Sequence, residues 1–522
     1  MKNIFKLMIV MVVTLSACTD LDVPPKSDAT GELIFNDPAT YEAFLAKIYA
    51  GFSLTGQQGP AGAGDIRGID EGASNYVRQY WQLQELPTDE AVVGWADGNL
   101  PTLNTQTWTD DNEFITAMYY RIFFNVSLAN EFLREASEEK LTERGFDEDT
   151  KATIQQYRAE ARFVRALSYW HGLDLFGNIP FYTEEDAIGS EAPDQATQQD
   201  VFTYIENELI DIETQLKSFV STPYGRASKE ALWALQAKLY LNAEVYTGTD
   251  RSADCLAACE KIINSGAFAL ADDYQLNFGA DNHTSSEIIF AALFDGEHIR
   301  TWGGTTYLVN AAIGGTMDPA NYGVAGGWSG LRTTSALVNL FPDETGDLDG
   351  RAIFYTDGQT KEITSITDFT NGYAVPKFTN ITSNDAQGSD ETHPDTDFAF
   401  FRLADVYLMY AESVVRGGGG SSATAVEYVN MLRERAYGST AGNITAADLT
   451  LDFILDERAR ELYWEGHRRT DLIRFNQFTE NGVWPWKGGT QAGQTTGAYL
   501  NLYPIPSADL IANPKLKQND QY

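Results

Sequence analysis

The chain has 522 residues, enough to bury a large core and, on length alone, to form about two to four domains. Its 37 basic and 74 acidic side chains leave a net charge of −37. A surface that acidic repels nucleic-acid phosphates and anionic membrane, and disfavours a polyanionic ligand such as a uronic-acid polymer unless a basic pocket meets it.

The first residues bear on localisation. Lys2 and Lys6 form a short basic start to an almost wholly apolar run that ends at Ala17. That run is short for a bilayer span and closes on small residues, so 1–17 reads as a secretion signal. Leu15-Ser16-Ala17-Cys18 resembles a bacterial lipobox, with cleavage before Cys18 and acylation of that residue. Asp20 and Asp22 follow it, as in the acidic export tags of surface lipoproteins. Several acyl chains on one cysteine give the stable anchoring that one chain does not. Residues 18–36, polar with paired prolines, read as a tether, and 37–522 as a single domain.

The remaining cysteines, Cys255 and Cys259, are i and i+4 on an expected helix. That is poor disulfide geometry and too few ligands for zinc, so both read as small packing residues.

Within the domain a helix opens at Asp37-Pro38, with Tyr41, Phe44, Leu45, Ile48, Tyr49 and Phe52 on one face. A glycine-rich loop over 51–72 leads into NYVRQYWQLQELPTDEAVVGWADGNLP, read as a second irregular segment holding Arg78, Trp81, Trp95 and Asn99. Apolar spacing predicts helices over 113–136, 148–176, 198–217, 228–246 (capped by Ser228) and 252–264 (ending at Gly266). Helix pairs recurring at this size point to tetratricopeptide-like units without a clean 34-residue consensus, hence to a mainly helical, all-α scaffold.

From about 267 to 400 the pattern changes to short β-like runs, EIIFAALF, AIFYT and AVPKFTN, among Gly, Asn, Asp and Thr clusters. This reads as an excursion from the scaffold, and its Asp- and Asn-rich 272–282 stretch leaves a structural calcium open, since the spacing is not diagnostic. Inside it, 295–332 sets Trp302, Tyr307, Tyr322 and Trp328 among glycines with no regular period, so loop and short extended pieces are expected there. Glycine beside tryptophan lets the backbone hold a flat ring where a ligand can stack, although such rings also fill loop cores.

Helices return at FRLADVYLMYAESVVRGG, TAVEYVNMLRERAYG and LDFILDERARELYWEGHRRTDLIRF. In the last, Asp456–Arg460 and Glu465–Arg469 fall at i,i+4, which reads as a charge-paired helix surface. An acid–base site built from Glu461, Glu465 and His467 is the alternative.

Together the lipobox, RAEARFVRALSYWHGLDLFGNIP, FRLADVYLMYAES, DERARELYWEGHRRTDLIRF and the closing YPIPSADLIANPKLKQN resemble the SusD-like (RagB/SusD) outer-membrane glycan-binding lipoproteins of Bacteroidetes. They span nearly the whole chain in family order. The resemblance implies one α-helical domain on tetratricopeptide-like pairs, with loops at about 51–112 and 267–400 forming the ligand face. DEGASNYVRQYWQLQELPTDE, RTWGGTTYLV and GGWSGL are similar to stretches of the family's starch-binding founder. Carried over, this implies an aromatic arc of Trp95, Trp302 and Trp328, with Arg78 and Asn99 as polar partners. Trp302 replaces a tyrosine of the founder, and the segment around Trp95 is one residue shorter here.

The implied function is non-enzymatic: capture of a neutral glycan at the cell surface and delivery to a TonB-dependent, SusC-like outer-membrane transporter. Starch-like α-glucan is the first ligand and a β-1,3-glucan such as laminarin the second. No cofactor is expected. A surface glycoside hydrolase, which would need two carboxylates across a cleft, and a protein-binding helical scaffold are the competing readings.

Overall fold

The computed structural model describes residues 34–60, 62–186, 189 and 191–522. The signal segment, Cys18 and most of the tether lie outside the described residues.

The longer helices are α1 (Ala39–Ser53), α2 (Tyr76–Glu85), α3 (Glu113–Glu135), α4 (Glu148–Phe176), α5 (Gln198–Ile212), α6 (Lys229–Leu241) and α7 (Ser252–Ser265). They continue with α8 (Gly304–Ala311), α9 (Leu403–Val415), α10 (Ser422–Tyr437), α11 (Leu451–Leu462) and α12 (Arg468–Arg474). Short strands are β1 (Val92–Val93), β2 (Ile179–Pro180), β3 (Gln195–Ala196), β4 (Ile288–Ala292), β5 (Leu331–Arg332) and β6 (Phe398–Arg402).

Local chemistry sets the ends of α3, α4 and α7 within a residue of the sequence expectation, whereas α5 stops at Ile212 rather than 217 and α6 at Leu241 rather than 246. The Asn112 side chain accepts from the N–H groups of Phe114 and Ile115 at 3.0 Å, opening α3, and Asp147 caps α4 through Thr150. Ser228 caps α6 through Ala231, and Gly266 closes α7 in the left-handed region. Consecutive helices pack side by side, α3 on α4, α4 on α5, α6 on α7 and α9 on α10, and α7 also packs on α9. The scaffold is mainly helical, consistent with tetratricopeptide-like pairing.

The excursion leaves and re-enters this scaffold at one antiparallel ladder, where β4 pairs β6 from Ile288 opposite Arg402 to Ala292 opposite Phe398. EIIFAALF is therefore a strand, and its partner is FAFFR, whose last two residues open the FRLADVYLMYAESVVRGG stretch expected to be helical; the helix itself starts at Leu403. AIFYT and AVPKFTN form no named strand and meet only at a bridge between Tyr355 and Ala374.

Two expectations are corrected. NYVRQYWQLQE is helix α2, and GTTYLVNA within the glycine-rich stretch is helix α8; every residue of both is buried. A helix buried all round has no polar face, so the amphipathic period that marks a helix in sequence is missing.

The charge-dense C-terminal stretch is corrected as well. It is not one helix, because α11 ends at Leu462 and α12 starts at Arg468, with Trp464 and Gly466 at positive φ between them. Its ion pairs are interior and join distant segments. Arg402 binds Glu287 (3.2 Å), Glu461 (2.8 Å) and Glu465 (2.5 Å), and Arg351 binds Asp349 (2.8 Å), Glu457 (2.9 Å) and Glu461 (3.1 Å). Lys377 and Arg435 complete the block on Glu465 and Glu461. Arg460 bonds Glu457 rather than Asp456, and Arg469 bonds Asp174 rather than Glu465.

This block also removes the acid–base alternative. Burial alone would raise Glu461, but Arg435, Arg402 and Arg351 more than offset it and bring the carboxyl to about 2. Burial, reinforced by Lys238, lowers His467 to about 3. Glu461 is thus a fixed anion and His467 a fixed neutral ring, both closed to solvent, and neither can exchange a proton with a substrate near neutral pH.

Cys255 and Cys259 are buried free thiols, in keeping with packing residues. In the 272–282 stretch, Asp273 caps a short turn through Gln275 and Asp281 binds Ser383, so both carboxylates serve local structure. Among the described residues no group of three or more His, Cys, Asp or Glu side chains could hold a metal ion.

Candidate functional site: a row of three indoles

The three tryptophans predicted from separate loops meet. Trp95 and Trp328 have ring centroids 6.3 Å apart with planes at 45°, and Trp328 and Trp302 are 6.2 Å apart at 47°. Each indole is turned about half a right angle from the next, so the row is not flat.

The backbone explains the meeting. β1 pairs antiparallel with β5, Val93 opposite Leu331, and Gly94 N–H bonds the Gly330 carbonyl at 2.9 Å. That ladder sets the Trp95 loop against the Trp328 loop, and Trp95 Nε1 donates to the Trp328 carbonyl at 3.2 Å. Trp328 and Gly330 donate their N–H groups to the carbonyls of Asn310 (2.7 Å) and Ala311 (2.8 Å) at the end of α8. Gly330 is required by space, since a Cβ there would lie 2.4 Å from the Trp95 ring.

Trp302 is held from the other side. Glu71 accepts from the Thr301 hydroxyl at 3.0 Å and from the Trp302 N–H at 3.2 Å. Asn75 ties three elements together: its Oδ1 accepts from the N–H groups of Arg78 (3.0 Å) and Gly304 (2.9 Å), and its Nδ2 donates to the Ser53 carbonyl at 2.7 Å. At Gly303 a Cβ would lie 2.2 Å from the Asn75 Cβ, so only glycine lets the Trp302 turn approach α2. His393 packs on the indole with centroids 4.8 Å apart, and burial lowers its imidazole below the ordinary value, leaving it neutral at pH 7.

Exposure singles out this row. Trp302 is 38% exposed and is the only Trp, Tyr or Phe in the exposed class among the described residues, while Trp95 and Trp328 are half-buried. Tyr307 is buried and Tyr322 is half-buried.

Arg78, on α2, is 9% exposed and closes no side-chain hydrogen bond or ion pair within the described residues; its Nε is buried without a partner. Its guanidinium lies over the Tyr307 ring at 4.4 Å and 6.0 Å from the Trp95 ring. Asn99 is differently placed. Its Oδ1 accepts from Glu113 N–H at 3.1 Å and its Nδ2 donates to the Asp111 carbonyl at 3.2 Å, so the amide braces the start of α3.

Sequence reasoning missed Glu71, Asn75 and His393. Glu71 and Asn75 stand at the end of the glycine-rich loop and just after it, directly before Arg78, which was the available signal. Nothing in the sequence links His393 to Trp302.

Two family models match the chain, one described as the SusD family over residues 354–522 and one as starch-binding and associating with the outer membrane over 67–241. The starch-binding protein SusD of Bacteroides thetaiotaomicron is 33% identical, with 100% of this chain and 99% of that protein covered. The chain belongs to the SusD family. SusD-like protein P2 of Formosa agariphila is 24% identical, with 98% of each chain covered.

Solved SusD-family folds agree. A SusD superfamily protein from Parabacteroides distasonis superposes with a TM-score of 0.72 at 20% identity, covering 93% of this chain and 99% of that one. Surface glycan-binding protein A from Bacteroides thetaiotaomicron, solved with laminarihexaose, gives 0.70 at 18% identity, covering 92% and 99%. At these identities the agreement concerns the fold. This SusD-family chain is a member of a non-enzymatic family, in accord with the locked Glu461 and His467.

Proposed function

We propose that the chain binds a neutral glycan on the Trp95–Trp328–Trp302 row, with starch-like α-glucan as first ligand. The observation that carries this reading is the row itself, three indoles from three loops, one of them the sole exposed aromatic ring among the described residues, beside a buried arginine with no partner. A pyranose offers apolar C–H faces and hydroxyl edges. Indole faces match the former, and a guanidinium's fixed fork of donors matches the latter. Successive rings are inclined by 45° and 47°, so a ligand lying flat on one ring does not lie flat on the next.

The surroundings favour an uncharged ligand. Asp70, Asp97 and Glu71 all act on Arg78 through space without pairing to it, so an acidic sugar would meet three carboxylates for one cation. The 33% identical relative is named as starch-binding, which supports α-glucan ahead of β-1,3-glucan.

In this reading the protein is anchored to the outer membrane through acylated Cys18, faces outward, and delivers glycan to a TonB-dependent transporter; family membership supports both points. Affinity electrophoresis in starch and in laminarin is the test. Wild type is expected to be retarded in starch and Trp302→Ala to migrate freely. Retardation only in laminarin would move the ligand to β-1,3-glucan, and equal free migration of both proteins in either gel would remove the glycan reading in favour of a protein-binding scaffold. New reducing ends after incubation would overturn the non-enzymatic assignment. Co-purification of an outer-membrane barrel with the wild-type protein, lost on Cys18→Ala, tests anchoring and delivery together.

A further inference from the structure

Tyr307 is fully buried on α8 and touches both halves of the site. Its ring meets Trp95 with centroids 5.9 Å apart at 66°, and carries the Arg78 guanidinium at 4.4 Å. Every other arginine buried as deeply bonds a carbonyl or carboxylate through at least one donor. Arg121 bonds the Thr55 carbonyl, Arg332 bonds Asn371 and Gly330 carbonyls, and Arg351, Arg402 and Arg458 bond carboxylates. Only Arg78 among the described buried arginines has a ring in place of such partners.

The difference has a chemical meaning. An ion pair is made by the edge of the guanidinium and uses its N–H donors, whereas a cation–π contact is made by its face. We propose that Tyr307 is the positioning residue of this site: its ring, in place of an ion pair, holds Arg78 beside Trp95 and leaves the guanidinium donors for ligand hydroxyls. This rests on the glycan reading above. The Tyr307 hydroxyl faces Gln82, whereas Arg78 lies over the face of the ring, so the ring and not the oxygen carries the role.

A double-mutant cycle on the full chain, read by calorimetry with maltoheptaose and repeated with laminarihexaose, tests it. Tyr307→Phe is expected to keep affinity within about twofold. Tyr307→Leu should lose roughly three- to thirty-fold, the range of cation–π contacts from exposed to desolvated. In an Arg78→Ala background the same Leu change should cost less than about twofold, because the group it positions is gone. Arg78→Lys, which keeps the charge but not the flat face, should lose about as much as Tyr307→Leu. Tyr307→Met serves if the Leu variant melts early.

An equal loss from Tyr307→Leu with and without Arg78 would overturn the proposal, since the ring would then act on Trp95 or on the fold. So would a loss in Tyr307→Phe, or wild-type affinity in Arg78→Lys. Failure of the underlying reading looks different: wild type binds neither oligosaccharide, and no variant can differ from it.

Discussion

Two regions of this protein bury arginine among aromatic rings, and they treat it in opposite ways. Around α11, Arg402 lies 5.8 Å from the Tyr274 ring, and its guanidinium is also saturated by Glu287, Glu461 and Glu465. Around α2, Arg78 lies 4.4 Å over Tyr307, with its Nε buried and unpartnered, and closes no ion pair within the described residues. In the first region the charges close on one another and join segments far apart in the chain. In the second a buried donor set is left open beside rings that reach solvent. Removing one member of a closed network strands the others, whereas removing an open donor strands nothing, so a scaffold and a site can be separated by how completely their polar groups are used.

The contrast can be broken most forcefully at Arg402. Arg402→Met leaves Glu461 and Glu465 short of a partner in the interior and should cost about 3–5 kcal/mol in urea unfolding. Arg78→Met should leave the unfolding midpoint near wild type while weakening glycan binding. Comparable destabilisation by both would end the distinction.

Gly330→Ala is expected to come next. A Cβ 2.4 Å from the Trp95 ring forces the indole to move, at about 1–3 kcal/mol in stability, and should weaken glycan retention as well. Normal retention would show that the row tolerates displacement. Trp302→Ala, at the exposed end, should lower affinity about tenfold or more with little change in melting temperature. Asn99→Ala is the smallest of these changes, about 0.5–1.5 kcal/mol in stability from the lost brace at the start of α3, with glycan affinity unchanged. A loss of affinity there would return Asn99 to the binding set.

Titration sharpens the scaffold side. His171 and His467 are buried neutral, both lowered to about 3 by burial, with Lys238 adding to the effect at His467. The unfolded chain takes up protons near the ordinary imidazole value of ~6.5, so the histidines' contribution to stability is full above that pH and declines as pH falls from about 6.5 toward 3. Glu457 and Glu461 add a second decline below about 4.5, since burial raises them but their arginines bring both to about 2. Glu90 and Asp397, raised by burial to about 7, act in the opposite sense over the same range, so the histidine contribution is read as a difference. Between about pH 6.5 and 5 the slope of melting temperature against pH should change in His171→Gln relative to wild type. Equal slopes in the two proteins would show that His171 contributes no such dependence.

Much of this molecule was legible without coordinates where a helix has one wet face and one dry one. α4 runs over 148–176 as its spacing predicts, and Asn112, Asp147 and Ser228 cap the helices they precede. α2 and α8 were misread because, buried on every side, they show no alternation of polar and apolar positions. α11 was misread because sequence spacing exposes only near neighbours, while its arginines and glutamates pair with Asp405, Arg351, Arg402 and Arg435 from elsewhere.

The amino-acid sequence alone therefore determined the acidic balance, the helical scaffold, the glycine-rich excursion and the three tryptophans worth watching, because these depend on composition, local period and motif. Tertiary structure alone decided that Trp95, Trp328 and Trp302 touch in that order, that Asn99 serves α3, and that Arg78 rests on Tyr307 unpaired. The first and last of those outcomes depend on the β1–β5 ladder and the α2–α8 contact, which join residues more than two hundred positions apart and leave no trace in local spacing.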